Sequence, residues 1–334
     1  MDQRATKAKI NTIIRAIRTE EAALRQRYAW LAHQNMIGMG ILVLSLSAMI
    51  GLGALYYHTL IPAWLCVVLV AMVASISHEL EHDLIHNLYF SKQKWVQNTM
   101  MLVVWLMRPN TINPWYRRKI HLHHHIVSGT EQDLEERLVG NGIKNPILRF
   151  IVIVDGLLGL LINRKRFSQE IKDFNFLRVF NAGFPITTAY FVVLYATVIY
   201  HLANLVFPLA ASLPMWHLDV VAVCNFLMVT LILPNVLRSS SLNFVTSCMH
   251  YYGGVNNLYQ QTHVITSKVF APFHLFCFNF GKTHTIHHFV PNQPFYLRQA
   301  VSEKVNQIMR QQGVRFNDFK SILNANRYPA EAAN

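Results

Sequence analysis

Two long apolar blocks set the architecture. The first runs from about Met36 to Ser77 and is broken at Tyr57-His58-Thr59, with Pro62 just beyond. A helix needs about 20 apolar residues to cross a hydrocarbon core of about 30 Å. The break therefore divides the block into one span near 36–57 and a second near 60–77, joined by a very short turn. The second span is barely long enough, but the segment after it keeps helical spacing and lets the helix continue. The other block has the same layout, with a span near 184–206, a loop holding Pro208, Pro214 and His217, and a span near 218–237. Residues 5–30 read as a charged amphipathic helix with no apolar core of its own. Residues 97–107, 147–162 and 269–280 are apolar but too short or too interrupted to span, and they fit interfacial or re-entrant helices; Arg108-Pro109 stops the first of these. The pattern predicts an all-α integral membrane protein with four transmembrane helices in two hairpins.

Charge orients this arrangement. No Lys or Arg occurs between Arg27 and Lys92, nor between Arg178 and Arg238, so both short hairpin connections lack cations while every flanking segment is basic. The positive-inside rule then puts both termini and the long middle segment in the cytoplasm, at the inner membrane if the chain is bacterial. The expected layout is one domain over 1–334, with a lead-in at 1–35 and a cytosolic cap built from 78–183 and 238–334. The formal charge of +13 does not argue for nucleic acid, because the cations border apolar spans and no groove-reading motif is present. Anionic headgroups or an acidic partner protein fit better. Cys66, Cys224, Cys248 and Cys277 form no CxxC pair, which excludes a zinc ribbon and a disulfide framework. The first apolar run begins only near Met36, so no signal peptide is expected.

The chemistry lies in histidine. The first cluster is His78-Glu79-Leu80-Glu81-His82, continued by Asp83 and His86; the second is His121-Leu122-His123-His124-His125, with an HxxHH frame of His121, His124 and His125; the third is His284-Thr285-Ile286-His287-His288, in the same frame. Residues at i, i+3 and i+4 share a helical face, so one turn can deliver several imidazoles. A lone histidine near a membrane surface is ordinarily a hydrogen-bonded interfacial residue, and His33, His58, His201 and His217 read that way. Three clusters at the cytosolic ends of spans read as metal ligands. Eight box histidines exceed one zinc site, which takes about four ligands, and suit two metals. Imidazole favours Fe, Cu or Zn over Mg or Ca.

The order HxxxH, HxxHH, HxxHH over four spans resembles the membrane fatty acid desaturase/hydroxylase superfamily from about His78 to His288. The resemblance implies a di-iron centre of two Fe ions, O2 as co-substrate and a lipid or fatty acyl substrate. It also implies an external electron donor of ferredoxin, rubredoxin or cytochrome b5 type, because the chain carries no HPGG haem element, no nucleotide fingerprint and no cluster cysteines. The stretch Asn243 to Gly253 looks like the NYxEHYG segment of membrane alkane hydroxylases, which makes His250 a ninth ligand in preference to His263. The expected metal and catalytic set is His78, His82, His121, His124, His125, His250, His284, His287 and His288. His86 is expected to orient a ligand, and His123 to point away. Glu79, Glu81 and Asp83 are expected to accept imidazole N–H bonds. Ser128 to Asp133 is similar to the ATPED segment of alkane hydroxylases, and its acids either orient ligands or begin a helix.

Within this resemblance desaturation ranks first, then oxidative decarboxylation to a terminal alkene, then hydroxylation. A substrate head group would meet Arg117, Arg118 and Lys119, with help from the segment Pro291 to Arg298. The rival reading takes His78-Glu79-Leu80-Glu81-His82 as the HExxH helix of an intramembrane zinc protease, with Asp155 as third ligand. It leaves both HxxHH boxes unexplained.

Overall fold

The computed structural model describes residues 3–207 and 214–328, and the described part is helical without a named strand. Helix α1 (Gln3–Arg27) precedes α2 (Gln34–Tyr57) and α3 (Ala63–Ile85), which form the first hairpin. Pro62 stands immediately before the first turn of α3, where a missing N–H costs nothing. Helix α10 (Ile186–Val206) and α11 (Trp216–Met249) supply the other two membrane-length helices. Residues 208–213, including Pro208 of the expected loop, lie outside the described residues. Between these pairs run α4 (Lys94–Met107), α5 (Pro114–Val127), α6 (Leu134–Leu138), α7 (Pro146–Val154), α8 (Gly156–Glu170) and α9 (Phe176–Asn181). After α11 come α12 (Ala271–Phe276), α13 (Phe280–Phe289), α14 (Phe295–Gln311) and α15 (Phe319–Leu323).

One span continues as its helical spacing allows, and another runs further than the apolar pattern foretells. Helix α3 carries the whole first histidine cluster and ends at Ile85, with every residue from Ser77 to Ile85 buried. Helix α11 has 34 residues, about 51 Å at 1.5 Å per residue, and so projects well beyond a hydrocarbon core of about 30 Å. Its polar continuation past 237 stays helical because Arg238, Asn243 and Thr246 find partners elsewhere in the protein. A π turn at Met228–Ile232 precedes Leu233-Pro234. Proline lacks an N–H and its ring crowds the carbonyl four residues back, and the widened turn accommodates both.

Packing divides by height. Around α2, α3 and α4 the core is apolar, with Leu42, Met49, Cys66, Val70, Met101 and Val104 among its members. At the histidine-bearing end, α1 lays Ile13 and Ile17 against Val301, Val305 and Met309 of α14 and against Val264 and Ile286. The amphipathic lead-in is thus part of the cap's core. Apolar side chains along α2, α10 and the first half of α11 stay exposed, including Leu44, Ile50, Leu205 and Val220, as lipid-facing positions require.

Candidate metal centre

Four elements bring the histidines together. Helix α3 supplies His78 and His82, and His86 follows as its C-cap. Helix α5 starts at Pro114, capped by the Asn113 side chain accepting from Tyr116 N at 2.8 Å, and it carries the second box. Helix α13 carries the third box, and His250 ends α11. Gly281, in the first turn of α13, is needed for the close approach. A Cβ there would lie 2.5 Å from His274 Cε1, 3.1 Å from Val245 and 3.2 Å from Ile265.

The imidazoles form two groups of four, His82, His86, His121 and His287 in one, His124, His250, His284 and His288 in the other, with the ligand-type nitrogens of each within 4.8 Å of one another. Each HxxHH box is shared between the groups. In the first group His121 Nε2 lies 2.9 Å from His86 Nε2. His125 Nε2 adjoins it, 3.2 Å from His121 Nε2 and 3.0 Å from His287 Nε2. In the second, His288 Nε2 lies 3.2 Å from His250 Nε2 and 3.1 Å from His284 Nε2. Two nitrogens each about 2.0–2.1 Å from one ion sit about 2.9 Å apart at a right angle and about 3.3 Å apart at a tetrahedral one. The observed spacings fall in that interval, so the donor set fits metal binding.

Hydrogen bonds fix which nitrogen faces inward. His121 Nδ1 meets Glu135 Oε2 at 2.6 Å, and His124 Nδ1 meets Asp133 Oδ2 at 2.8 Å. His288 Nδ1 meets Gln261 Oε1 at 2.9 Å. His250 Nδ1 donates to Thr246 O at 3.0 Å, with Glu136 Oε2 at 3.3 Å. A proton held on Nδ1 leaves the Nε2 lone pair for a metal. His287 and His82 differ, because their Nδ1 atoms face Arg298, at 2.7 Å from Nη1 and 3.5 Å from Nη2.

Burial, followed by neighbouring imidazoles and cations, holds His121, His284, His287 and His288 well below the usual histidine range. The same causes push His86 and His125 down to about 2 and His250 to about 3. These rings stay neutral at physiological pH and keep their lone pairs. His124 differs: burial lowers it, but Asp133, then Glu135 and Glu136, outweigh this and raise it to about 10.

The first-cluster acids do not face imidazoles as expected. Glu79 and Asp83 both receive Arg298 Nη2, at 3.1 and 3.2 Å. Asp83 also accepts from Tyr89 OH and Phe295 N, each at 2.9 Å. Glu81 is ion-paired with Arg108 and accepts from Arg117 Nη1 at 2.9 Å. The imidazole-facing acids come instead from 133–136, and Asp133 also caps α6. With Glu79 locked by Arg298, and Asp155 holding Tyr195 OH at 2.6 Å and capping α8, the protease arrangement is not assembled.

His78 and His125 fall outside the two four-histidine groups. Arg108 Nη1 lies 3.0 Å from His78 Nδ1, and the buried Nε2 has no partner among the described residues. His263 meets Cys248 O at 3.0 Å and joins neither group, and His123 is exposed. His86 joins the first group although its spacing suggested an orienting role. Gln261 carried no sequence signal, and Arg298, expected to help with a substrate head group, is instead held by Glu79, Asp83 and His287.

A mostly apolar cavity of ≈ 380 Å³ abuts this centre, walled by Ile120, Leu138, Leu160, Phe191 and Leu242 among others. It shares His78, Arg117, Glu135, Val139, Leu242 and Asn243 with a smaller space that touches His82, His121, His124 and His284. Across residues 58–320, from the end of the first span to α15, the sequence matches the model of the fatty acid desaturase family. The chain belongs to the fatty acid desaturase family. No curated protein matches it. Membership implies a lipid substrate in a membrane setting, and the fatty acid desaturase histidine groups seen here are compatible with an iron centre.

Proposed function

We propose that the protein is a membrane di-iron oxidase that uses O2 to oxidise a fatty acyl chain, with desaturation as the outcome placed first. One observation carries the reading: members of both four-histidine groups line a small space that shares wall residues with the adjoining apolar cavity. In this reading His82, His86, His121 and His287, adjoined by His125, hold one iron, and His124, His250, His284 and His288 hold the other. Bound iron would supply the O2-derived oxidising power needed to break an unactivated C–H bond. The chain's own residues do the rest. Asp133, Glu135, Glu136 and Gln261 orient the ligand rings. The cavity walls align the methylene chain and exclude water. His78, backed by Arg108, forms part of the cavity wall.

The centre and both termini are assigned to the cytoplasm. A ferredoxin, rubredoxin or cytochrome b5-type donor would approach the basic surface there, and an acidic donor suits that charge.

The test is product analysis by mass spectrometry after expression with fatty acids of graded length, headspace gas included, together with metal analysis of the purified protein. The expected result is iron at two per chain and an O2-dependent internal alkene. A volatile terminal alkene or an alcohol would move the reaction to decarboxylation or hydroxylation within the same oxidase reading. A single zinc with peptide hydrolysis would overturn it.

A further inference from the structure

The side chains of Arg108, Arg137, Arg238 and Arg298 are fully buried. Three of them pair with carboxylates: Arg108 with Glu81, Arg137 with Glu170, and Arg298 with Glu79 and Asp83. Arg238 has no acidic partner among the described residues. Its Nε donates to Asn235 Oδ1 at 3.2 Å and its Nη2 to Asn110 Oδ1 at 2.9 Å. Both acceptors are neutral, so they satisfy hydrogen bonds without cancelling the charge. Its Nη1 is buried with no partner, and the residue lines the large apolar cavity.

An unpaired cation within a membrane-length helix is costly and marks a functional site by default. Charges around it do not offset the cost. Arg108 and Arg117 share Glu81, and Glu135, the next acid, also faces His121. The other carboxylate on the cavity wall, Asp155, is occupied by Tyr195 and the start of α8. On the cavity wall Arg117 stands 3.7 Å from Glu135, and Arg238 alone of the two wall arginines has no carboxylate within ion-pair distance among the described residues.

We propose that Arg238 is the anion subsite of the cavity and that the bound chain carries its own carboxylate, as a free fatty acid. The proposal rests on the reading that this cavity holds the acyl chain. The carboxylate accepts from Arg238 Nη1 and supplies the missing negative charge, while the methylenes lie along the apolar walls. An ester or thioester oxygen could accept the same hydrogen bond but would leave the charge uncompensated.

The test measures binding of saturated fatty acids and of their methyl esters and coenzyme A thioesters to iron-loaded protein without O2, so that nothing turns over. The wild type should prefer the acid to the ester of the same chain by at least about tenfold, as expected for a hydrogen bond between charged groups. Arg238→Gln should remove that preference by weakening acid binding alone. Asn110→Asp, which sets a carboxylate beside Arg238 Nη2, should do the same while keeping the arginine, and it decides the matter if the glutamine variant does not fold. Equal wild-type affinity for acid and ester, a preference for the thioester, or a preference surviving Asn110→Asp would overturn the proposal. Iron content is read separately, so a protein without iron would fail the oxidase reading without deciding the acid preference.

Discussion

Asp133 serves two structures with one carboxylate: Oδ1 accepts from Glu136 N at 3.3 Å at the start of α6, and Oδ2 faces His124 Nδ1 at 2.8 Å. Converting it to asparagine keeps a cap but replaces a charged partner of His124 with a neutral one. Loss of such an orienting partner typically costs about 10–100-fold in metal affinity or activity. Asp133→Asn is therefore expected to bind iron that much more weakly, with helicity by circular dichroism unchanged; wild-type iron affinity would deny the residue this role. The first cluster shows what spacing leaves open. His78, His82 and His86 lie at i, i+4 and i+8 on one stripe, about 12 Å long at 1.5 Å per residue, which is longer than one metal site. The sequence alone does not say which end is used. The choice depends on where α5 crosses, and it leaves His86 2.9 Å from His121 while His78 faces Arg108. The geometry predicts that His86→Ala loses iron as severely as His82→Ala. His78→Ala should retain most of its iron but turn over poorly, since His78 belongs to neither four-histidine group but lines the cavity. Parallel iron assays on the three variants would refute the grouping if His78→Ala proved the emptiest.

At the scale of elements, hydropathy made the four spans legible because lipid imposes one rule on every residue it touches. It did not show where α3 and α11 stop, because inside the cap the partner of each polar residue is a particular side chain. Glu79 and Asp83 belong in a buried helix only because Arg298 arrives from α14, more than two hundred residues later. The lead-in helix was legible as amphipathic, but the apolar face of α14 that covers it was not. Helix α13 depends on a detail of the same kind. Gly281 sits where a Cβ would press on His274, Val245 and Ile265 at once. His274 can turn aside, but Val245 and Ile265 are buried β-branched residues with little freedom. Overpacking of this sort costs about 1–3 kcal/mol. Gly281→Ala should lower the thermal midpoint and displace the third box enough to reduce bound iron. Unchanged melting and iron content would show that the helix has room to shift.

For the whole molecule, two independent arguments put the chain's ends on one side. Four crossings return the chain to the side from which it started, and the two end segments also touch. Arg18 donates to Asn292 at 2.6 Å, Glu21 accepts from Gln293 at 3.0 Å, and Lys304 reaches Glu20 at 3.0 Å. Helix α1 and α14 share one core with α13, so the N-terminal helix, the C-terminal helices and the third histidine box form a single body. Contact alone does not say which side of the membrane this body occupies. The proposed cytoplasmic side rests on the charge pattern, since neither short hairpin connection carries Lys or Arg, and positively charged short loops are retained in the cytoplasm. The two arguments constrain each other: moving one terminus across the membrane would break the α1–α14 contact as well as the charge rule. A cysteine introduced at Thr59, in the exposed turn between α2 and α3, should react with a membrane-impermeant maleimide in intact cells. One introduced at exposed Glu303 on α14 should react only after permeabilisation. Labelling of Glu303→Cys in intact cells would overturn the cytoplasmic assignment but leave the shared side intact. Labelling of Thr59→Cys and Glu303→Cys under the same condition would instead break the four-span fold itself.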